Sequence, residues 1–322
     1  MKAVVFDGLP IGHQQLSVVE DRAEPVPPSR EVRIRPSLVG ICNTDLEIMR
    51  GYAGFSGVLG HEFVGVVDRA EDPALLGQRV VGEINAACGH CPTCVAGRPT
   101  HCPERTALGI RGRDGALAEA FCLPAANLHL VPEEMQDEVA VFTEPLAAAC
   151  QIPNRVHIRP SDRVIVLGDG KLGLLVAQVM ALTGCDLEVV GRHEEKLAIL
   201  ASRGIQVRAI GRSIAGGADL VVDCTGSAEG FRQARQLVRP QGTLILKSTY
   251  HGLVETDLSR LVVDEVRLEG SRCGPFAAAI RLLSKRLVDV LPLIEARYPL
   301  DQAVAAFEHA GRKGALKVLV CF

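Results

Sequence analysis

The chain has no tryptophan and few other aromatics, 3 tyrosines and 9 phenylalanines among 322 residues. It has no excess of either charge: 35 Lys plus Arg stand against 38 Asp plus Glu, a formal net charge of −3. That balance gives no reason to expect nucleic acid or an acidic membrane surface as a partner. No apolar run approaches the roughly 20 residues that cross a bilayer. The opening MKAVVFDGLP reads as a short strand and a turn, without the apolar stretch of a secretory signal. A cytoplasmic protein is expected. Internal repeats and low-complexity segments are also missing. What remains is 48% apolar and 23% charged, the make-up of a globular protein. Its length suits two domains better than one core.

The first part of the chain reads as β-rich. Val32-Arg33-Ile34-Arg35 alternates with period two, and Phe63 to Val67 and Arg79 to Val81 are short apolar runs bounded by Gly, Asp or Glu. The pattern changes near residue 148. Arg163 to Leu167 suits a strand buried on both faces. Helix at Lys171 to Leu182, strand at Leu187 to Val190 and helix at Glu194 to Ala201 follow. Strand at Asp219 to Asp223, helix around Phe231 to Val238 and strand at Thr243 to Leu246 continue the alternation. Strand and helix in strict turn predict an α/β domain with a doubly wound parallel sheet. After about residue 272 come a helix (Ala277 to Lys285), a segment at Asp301 to Ala310 and a closing strand, Lys317 to Val320. This tail is too short for a domain and is expected to return to the first body. The expected boundaries are 1–147, 148–272 and 273–322.

Of the 11 cysteines, Cys88, Cys91, Cys94 and Cys102 fall within 15 residues. Such clustering in a chain of this type points to metal rather than disulfides. Four thiolates so spaced, with Gly89, Pro92 and Gly97 for tight turns, suit a closed tetrahedral zinc site with a structural role over 88–102. An iron–sulfur cluster is the runner-up, since Pro103 follows Cys102; the seven residues between Cys94 and Cys102 depart from the ferredoxin spacing. Cys122, Cys150, Cys185, Cys224, Cys273 and Cys321 read as small buried apolar residues.

Gly168-Asp169-Gly170-Lys171-Leu172-Gly173 is GxGxxG, and it lies between a buried strand and a helix. In that context the first glycine allows the turn, the second admits a pyrophosphate and the third packs helix on strand. The helix N-terminus then offers free N–H groups to the phosphates. NAD usually meets an acid about 20 residues on, at the end of the second strand. Glu188 has that spacing but lies early in its strand. The strand ends instead before Gly191-Arg192-His193, where a small residue and an arginine accommodate a 2′-phosphate. NADP is therefore favoured over NAD.

Three further segments carry metal ligands beside glycine or proline: Gly40-Ile41-Cys42-Asn43-Thr44-Asp45, Gly60-His61-Glu62-Phe63 and Thr143-Glu144-Pro145-Leu146-Ala147. GHEFVGVV, the four-cysteine lobe, GALAEAF at 115–121, TEPLA and the glycine loop occur in one order along nearly the whole chain. In this the sequence resembles the zinc-containing medium-chain dehydrogenases, and more closely their polyol, threonine and secondary-alcohol branch. The resemblance implies a GroES-like β-rich catalytic domain interrupted by a Rossmann domain, in a homodimer or homotetramer. It implies Cys42 and His61 as ligands of a second, catalytic zinc, with Glu62 or Glu144 completing the shell.

The function so implied is hydride transfer between an alcohol or polyol and NAD(P). Thr44 is expected to take the alcohol proton and Asp45 to hold His61 by its second nitrogen. The family commonly has a histidine two residues beyond the aspartate of this motif; here Glu47 stands there, and is read as the outer end of the proton relay. Thr225, Gly226 and Arg272 are expected beside the cofactor. Two alternatives are a zinc-free quinone or enone reductase and a zinc- or nucleotide-binding protein without catalysis. Cys42, His61 and the cysteine lobe argue against the first, and intact Cys42, Thr44 and His61 against the second.

Overall fold

The computed structural model describes residues 1–8, 15–211, 214–249 and 253–322. It divides into two compact units, Met1–Glu144 with Phe276–Phe322, and Pro145–Pro275. The divisions fall three residues from those expected, the first of them inside the helix Thr143–Arg155. The opening segment forms the strand Ala3–Asp7, and Leu9 and Pro10 of its expected turn lie outside the described residues.

The first unit is built on a mainly antiparallel sheet. Its order is Leu128–Leu130, Arg79–Gly82, Glu62–Arg69, Glu31–Gly40, Lys317–Cys321 and Ile294–Pro299, with Phe121–Pro124 paired to the start of Glu31–Gly40. Period-two alternation explains the long central strand: Val32 and Ile34 are buried, while Arg33 and Arg35 face outward onto Asp68 of the next strand. The closing strand pairs antiparallel with Glu31–Gly40, Leu319 opposite Gly40 and Val320 opposite Val39. The tail thus returns to the first body and carries Lys317 to the end of the strand that precedes Cys42. Gln15–Val19, Ala3–Asp7 and Gly57–Val58 form a second, smaller sheet.

The second unit is a six-stranded parallel sheet in the order Gln206–Ala209, Asp186–Gly191, Arg163–Leu167, Ala218–Asp223, Val238–Leu246 and Arg267–Gly270. Within the unit this is the order 3-2-1-4-5-6 of dinucleotide-binding folds. The central strands are apolar on both faces because helices cover both: Val164, Ile165 and Val166 are fully buried, as are Val221 and Val222. Val238, placed at a helix end by sequence pattern, begins a strand instead; the helix is Ala228–Leu237.

Candidate active site

Cys42 and His61 come from two turns at the ends of the central strands Glu31–Gly40 and Glu62–Arg69, and one buried side chain ties those turns together. Asp45, with no exposed surface, accepts the Cys42 N–H (2.8 Å) and the Gly60 N–H (3.2 Å). Its Oδ1 also lies 3.2 Å from Nδ1 of His61, off the line of a well-formed hydrogen bond. Gly60 has φ +93°, and a Cβ there would meet Leu117 at 2.7 Å, so the turn before His61 requires glycine. The donor atoms of Cys42, His61 and Glu62 lie within 4.8 Å of one another. A thiol, an imidazole with a carboxylate beside its second nitrogen, and a carboxylate are the donor set of a catalytic zinc site, so these residues fit the ion. Thr44 places its hydroxyl 3.6 Å from the Cys42 sulfur.

Lys317 was not foreseen from sequence. It is buried, donates to Oε2 of Glu62 and lies 3.4 Å from the Ile41 carbonyl. Gly40 makes room for the pair: a Cβ there would lie 2.5 Å from that Glu62 oxygen. Burial works against the charge on Lys317. The carboxylate of Glu62, with Cys42 and Glu144, outweighs it and raises its pKa. The same competition acts at His61, where burial is opposed by Asp45 and Cys42 and the pKa rises well above the usual histidine range. Glu144, half-buried at the start of its helix, lies outside the close donor cluster. Glu47 is on the helix Asn43–Met49, with one oxygen 2.6 Å from the Arg50 guanidinium.

The cysteine lobe is assembled. Sulfur–sulfur separations are 3.5 Å for Cys91–Cys94 and Cys88–Cys102, 3.8 Å for Cys91–Cys102 and 4.0 Å for Cys88–Cys94. Tetrahedral zinc with bonds of about 2.3 Å separates its sulfurs by roughly 3.8 Å, so the fit is direct. Gly89 and Gly97 take positive φ, +80° and +73°, as the tight turns require. As a free thiol Cys94 is pushed up to about 12, by desolvation first and by its hydrogen bonding with the neighbouring thiols. The four sulfurs converge as the donor set of one metal ion.

In the second unit the glycine loop crosses the topological switch point. Gly168, φ +109°, packs on Cys224 and Thr225 at the end of the fourth strand in the chain order of that sheet: a Cβ there would meet the Cys224 carbonyl oxygen at 2.8 Å. A Cβ on Gly173 would lie 2.0 Å from the Gly168 oxygen, whereas one on Gly170 would meet nothing within 4 Å. Lys171 and Leu172 begin the helix Lys171–Ala181. Thr225 donates its N–H (2.9 Å) and hydroxyl (2.7 Å) to Asp223, and Gly226 has φ +65°. Arg272 is exposed, and its carbonyl accepts from buried Lys247 at 2.7 Å. Glu188 is held by Arg208 and, at 3.6 Å, by Arg163. It is a structural ion-pair residue, and Gly191 ends its strand.

Residues 28–133 match the family described as the alcohol dehydrogenase GroES-like domain, and residues 172–285 the family described as zinc-binding dehydrogenase. The chain is 30% identical over 331 residues to the starvation-sensing protein RspB of Escherichia coli K12, covering 96% of each. It is 27% identical over 344 residues to a sorbitol dehydrogenase of Halalkalibacterium halodurans, covering 99% of each. An alcohol dehydrogenase of Escherichia coli CFT073 in complex with NADH superimposes with a TM-score of 0.88 at 28% identity, over 100% of this chain and 99% of that one. With the GroES-like unit, the parallel dinucleotide sheet and both zinc donor sets in place, the chain belongs to the zinc-containing medium-chain alcohol dehydrogenase family.

Proposed function

We propose that this enzyme oxidises a secondary hydroxyl of a polyol or related alcohol, and reduces the carbonyl in reverse, using NAD(P). The observation that carries this reading is the cluster of Cys42, His61 and Glu62 backed by Asp45. When bound, zinc held by Cys42 and His61 supplies Lewis acidity that makes the substrate hydroxyl easier to deprotonate, and NAD(P) supplies the hydride acceptor. The chain's own residues do the rest. Asp45 fixes the Cys42 and His61 turns and directs the His61 ring. The Thr44 hydroxyl oxygen, beside the Cys42 sulfur, takes the substrate proton as its own hydroxyl proton leaves. Glu47, one of whose oxygens is bonded to Arg50, is the outer end of the relay that releases a proton to solvent. Glu62 is the closer carboxylate, steadied by Lys317, and Glu144 acts from outside the close cluster. The four-cysteine lobe has a structural role.

The glycine loop, Thr225, Gly226 and Arg272 bind the dinucleotide. Arg192, exposed beside the small Gly191, supports a preference for the 2′-phosphate of NADP. Among the described residues no helix is long and apolar enough to cross a membrane. Eleven free cysteines support residence in the reducing cytoplasm. Exposed Leu258, Val262 and Val263 next to the edge strand Arg267–Gly270 support a homodimer or homotetramer.

The test is steady-state reduction of NADP and NAD by the zinc-loaded enzyme over a panel of polyols and simple secondary alcohols. Turnover with polyols, abolished by Cys42→Ser, is the expected result. Turnover that survives Cys42→Ser, or none with any alcohol, contradicts the reading.

A further inference from the structure

Asp169 stands between the first two glycines of the loop, yet its side chain bonds elsewhere. One carboxylate oxygen accepts the backbone N–H of Arg192 (2.6 Å) and of His193 (2.6 Å). The His193 ring nitrogen Nδ1 lies 3.1 Å from each oxygen. The residue is 6% exposed. Burial alone would raise its pKa, but the amides of His193 and Arg192 and the His193 ring hold it below the usual carboxylate range. It is an anchored carboxylate rather than a solvated one.

Its position matters as much as its bonds. A Cβ added to Gly191 would lie 2.6 Å from both Cβ and Oδ2 of Asp169. An acidic side chain at the strand end, of the kind that meets a ribose diol, therefore has no room to project; Asp169 already fills that volume. Its acceptor capacity is directed at the turn and not at a ligand. The turn it holds carries Arg192, whose side chain is exposed and makes no hydrogen bond or ion pair among the described residues. A guanidinium on a fixed backbone loses less entropy on capturing a phosphate than one on a loose loop.

From this geometry we propose that Asp169 is the positioning residue for cofactor choice: it takes the place of a strand-end acid over Gly191 and pins the Gly191–His193 turn so that Arg192 is presented to a 2′-phosphate. The proposal rests on the NADP reading of Arg192 given above. It predicts that losing the Asp169 carboxylate weakens NADPH binding selectively, through Arg192.

The experiment is fluorescence titration of NADPH and NADH into the zinc-loaded full chain: wild type, Arg192→Ala, Asp169→Asn and the double variant. Asparagine keeps the shape but offers one acceptor oxygen and no charge. The expected result is tighter NADPH binding by wild type, a preference lost in Arg192→Ala, and a fall of about tenfold in the NADPH-to-NADH preference in Asp169→Asn. NADH affinity should barely move, and the double variant should be no worse than Arg192→Ala alone. If Arg192→Ala loses the preference and Asp169→Asn keeps it, the proposal falls and the Arg192 reading stands. If wild type prefers NADH, or Arg192→Ala keeps a preference for NADPH, the Arg192 reading falls and the proposal with it. A stronger NADPH preference in Asp169→Asn also overturns it, since the carboxylate would then act by repulsion. Should Asp169→Asn bind neither cofactor, Asp169→Ser, whose hydroxyl still accepts one amide, is read the same way. Loss of both cofactors there too makes Asp169 a scaffold residue and ends the proposal.

Discussion

The ammonium of Lys317, on the last strand of the chain, is bonded to the carboxylate of Glu62, which follows His61 directly in sequence. Both side chains are buried, so neither charge has water to fall back on. Removing one partner strands the other: Lys317→Met should cost about 3–5 kcal/mol of stability. The double variant Lys317→Met/Glu62→Gln should recover part of that loss. Urea unfolding of the four proteins of this cycle checks it, and full additivity of the two losses would show that the pair is not coupled.

Variants at Thr44 and Glu47 test the proposed proton relay apart from metal binding. Thr44→Val keeps the volume and removes the hydroxyl. It should lower kcat by about 10²–10⁴-fold, the usual size of an acid–base contribution. Zinc content should not change, because the hydroxyl neighbours the Cys42 sulfur without replacing it. Glu47→Gln should shift the pH–rate profile. An unchanged profile would remove Glu47 from the relay and leave it as the partner of Arg50 alone.

Two glycines of one loop should respond differently to alanine. Gly170→Ala adds a methyl into open space, so the fold should survive while dinucleotide affinity falls as the backbone's approach to the pyrophosphate is blocked. Gly173→Ala puts a Cβ 2.0 Å from the Gly168 oxygen and should lower the melting temperature itself. Thermal unfolding with and without NAD(P)H distinguishes them; equal melting temperatures for both variants would contradict the packing argument.

Asp68 links two arginines of the central strand: Arg33 meets it at 2.9 Å through two nitrogens and Arg35 at 2.7 Å. Burial would raise its pKa, but the hydrogen bonds and charges of Arg33 and Arg35 bring it below its ordinary 3.8. A carboxylate depressed in the folded state stabilises above its unfolded pKa, and that contribution is lost as pH falls through the folded value. Asp68→Asn should therefore be less stable than wild type by about 1–2 kcal/mol at neutral pH. The gap should close below pH 3.8. Denaturant unfolding at several pH values measures it, and a gap that widens with acid would reverse the sign.

What could be read from sequence follows from how local each signal is. Arg163 to Leu167 and the glycine loop were legible because a strand buried on both faces is apolar throughout and a phosphate turn needs glycine at fixed spacing. The edge strands Gln206–Ala209 and Arg267–Gly270 were not, since each is four residues long, none of those residues is buried, and two in each are polar. Glu188 had the spacing of a ribose acid; only the fold reveals Arg208 and Arg163 beside it. Lys317 gave one weak hint, a cation at the first position of an apolar closing strand, and its partner lies 255 positions away.

Counting metal distinguishes a chain with two zinc sites, one of them at Cys42 and His61, from a chain with the lobe alone. Elemental analysis of the purified wild type and of His61→Ala should give about two zinc ions and about one per chain, the lobe of Cys88, Cys91, Cys94 and Cys102 keeping its ion in both. One zinc in each protein would mean that Cys42 and His61 hold no metal, and zinc-assisted oxidation at this site would be ruled out.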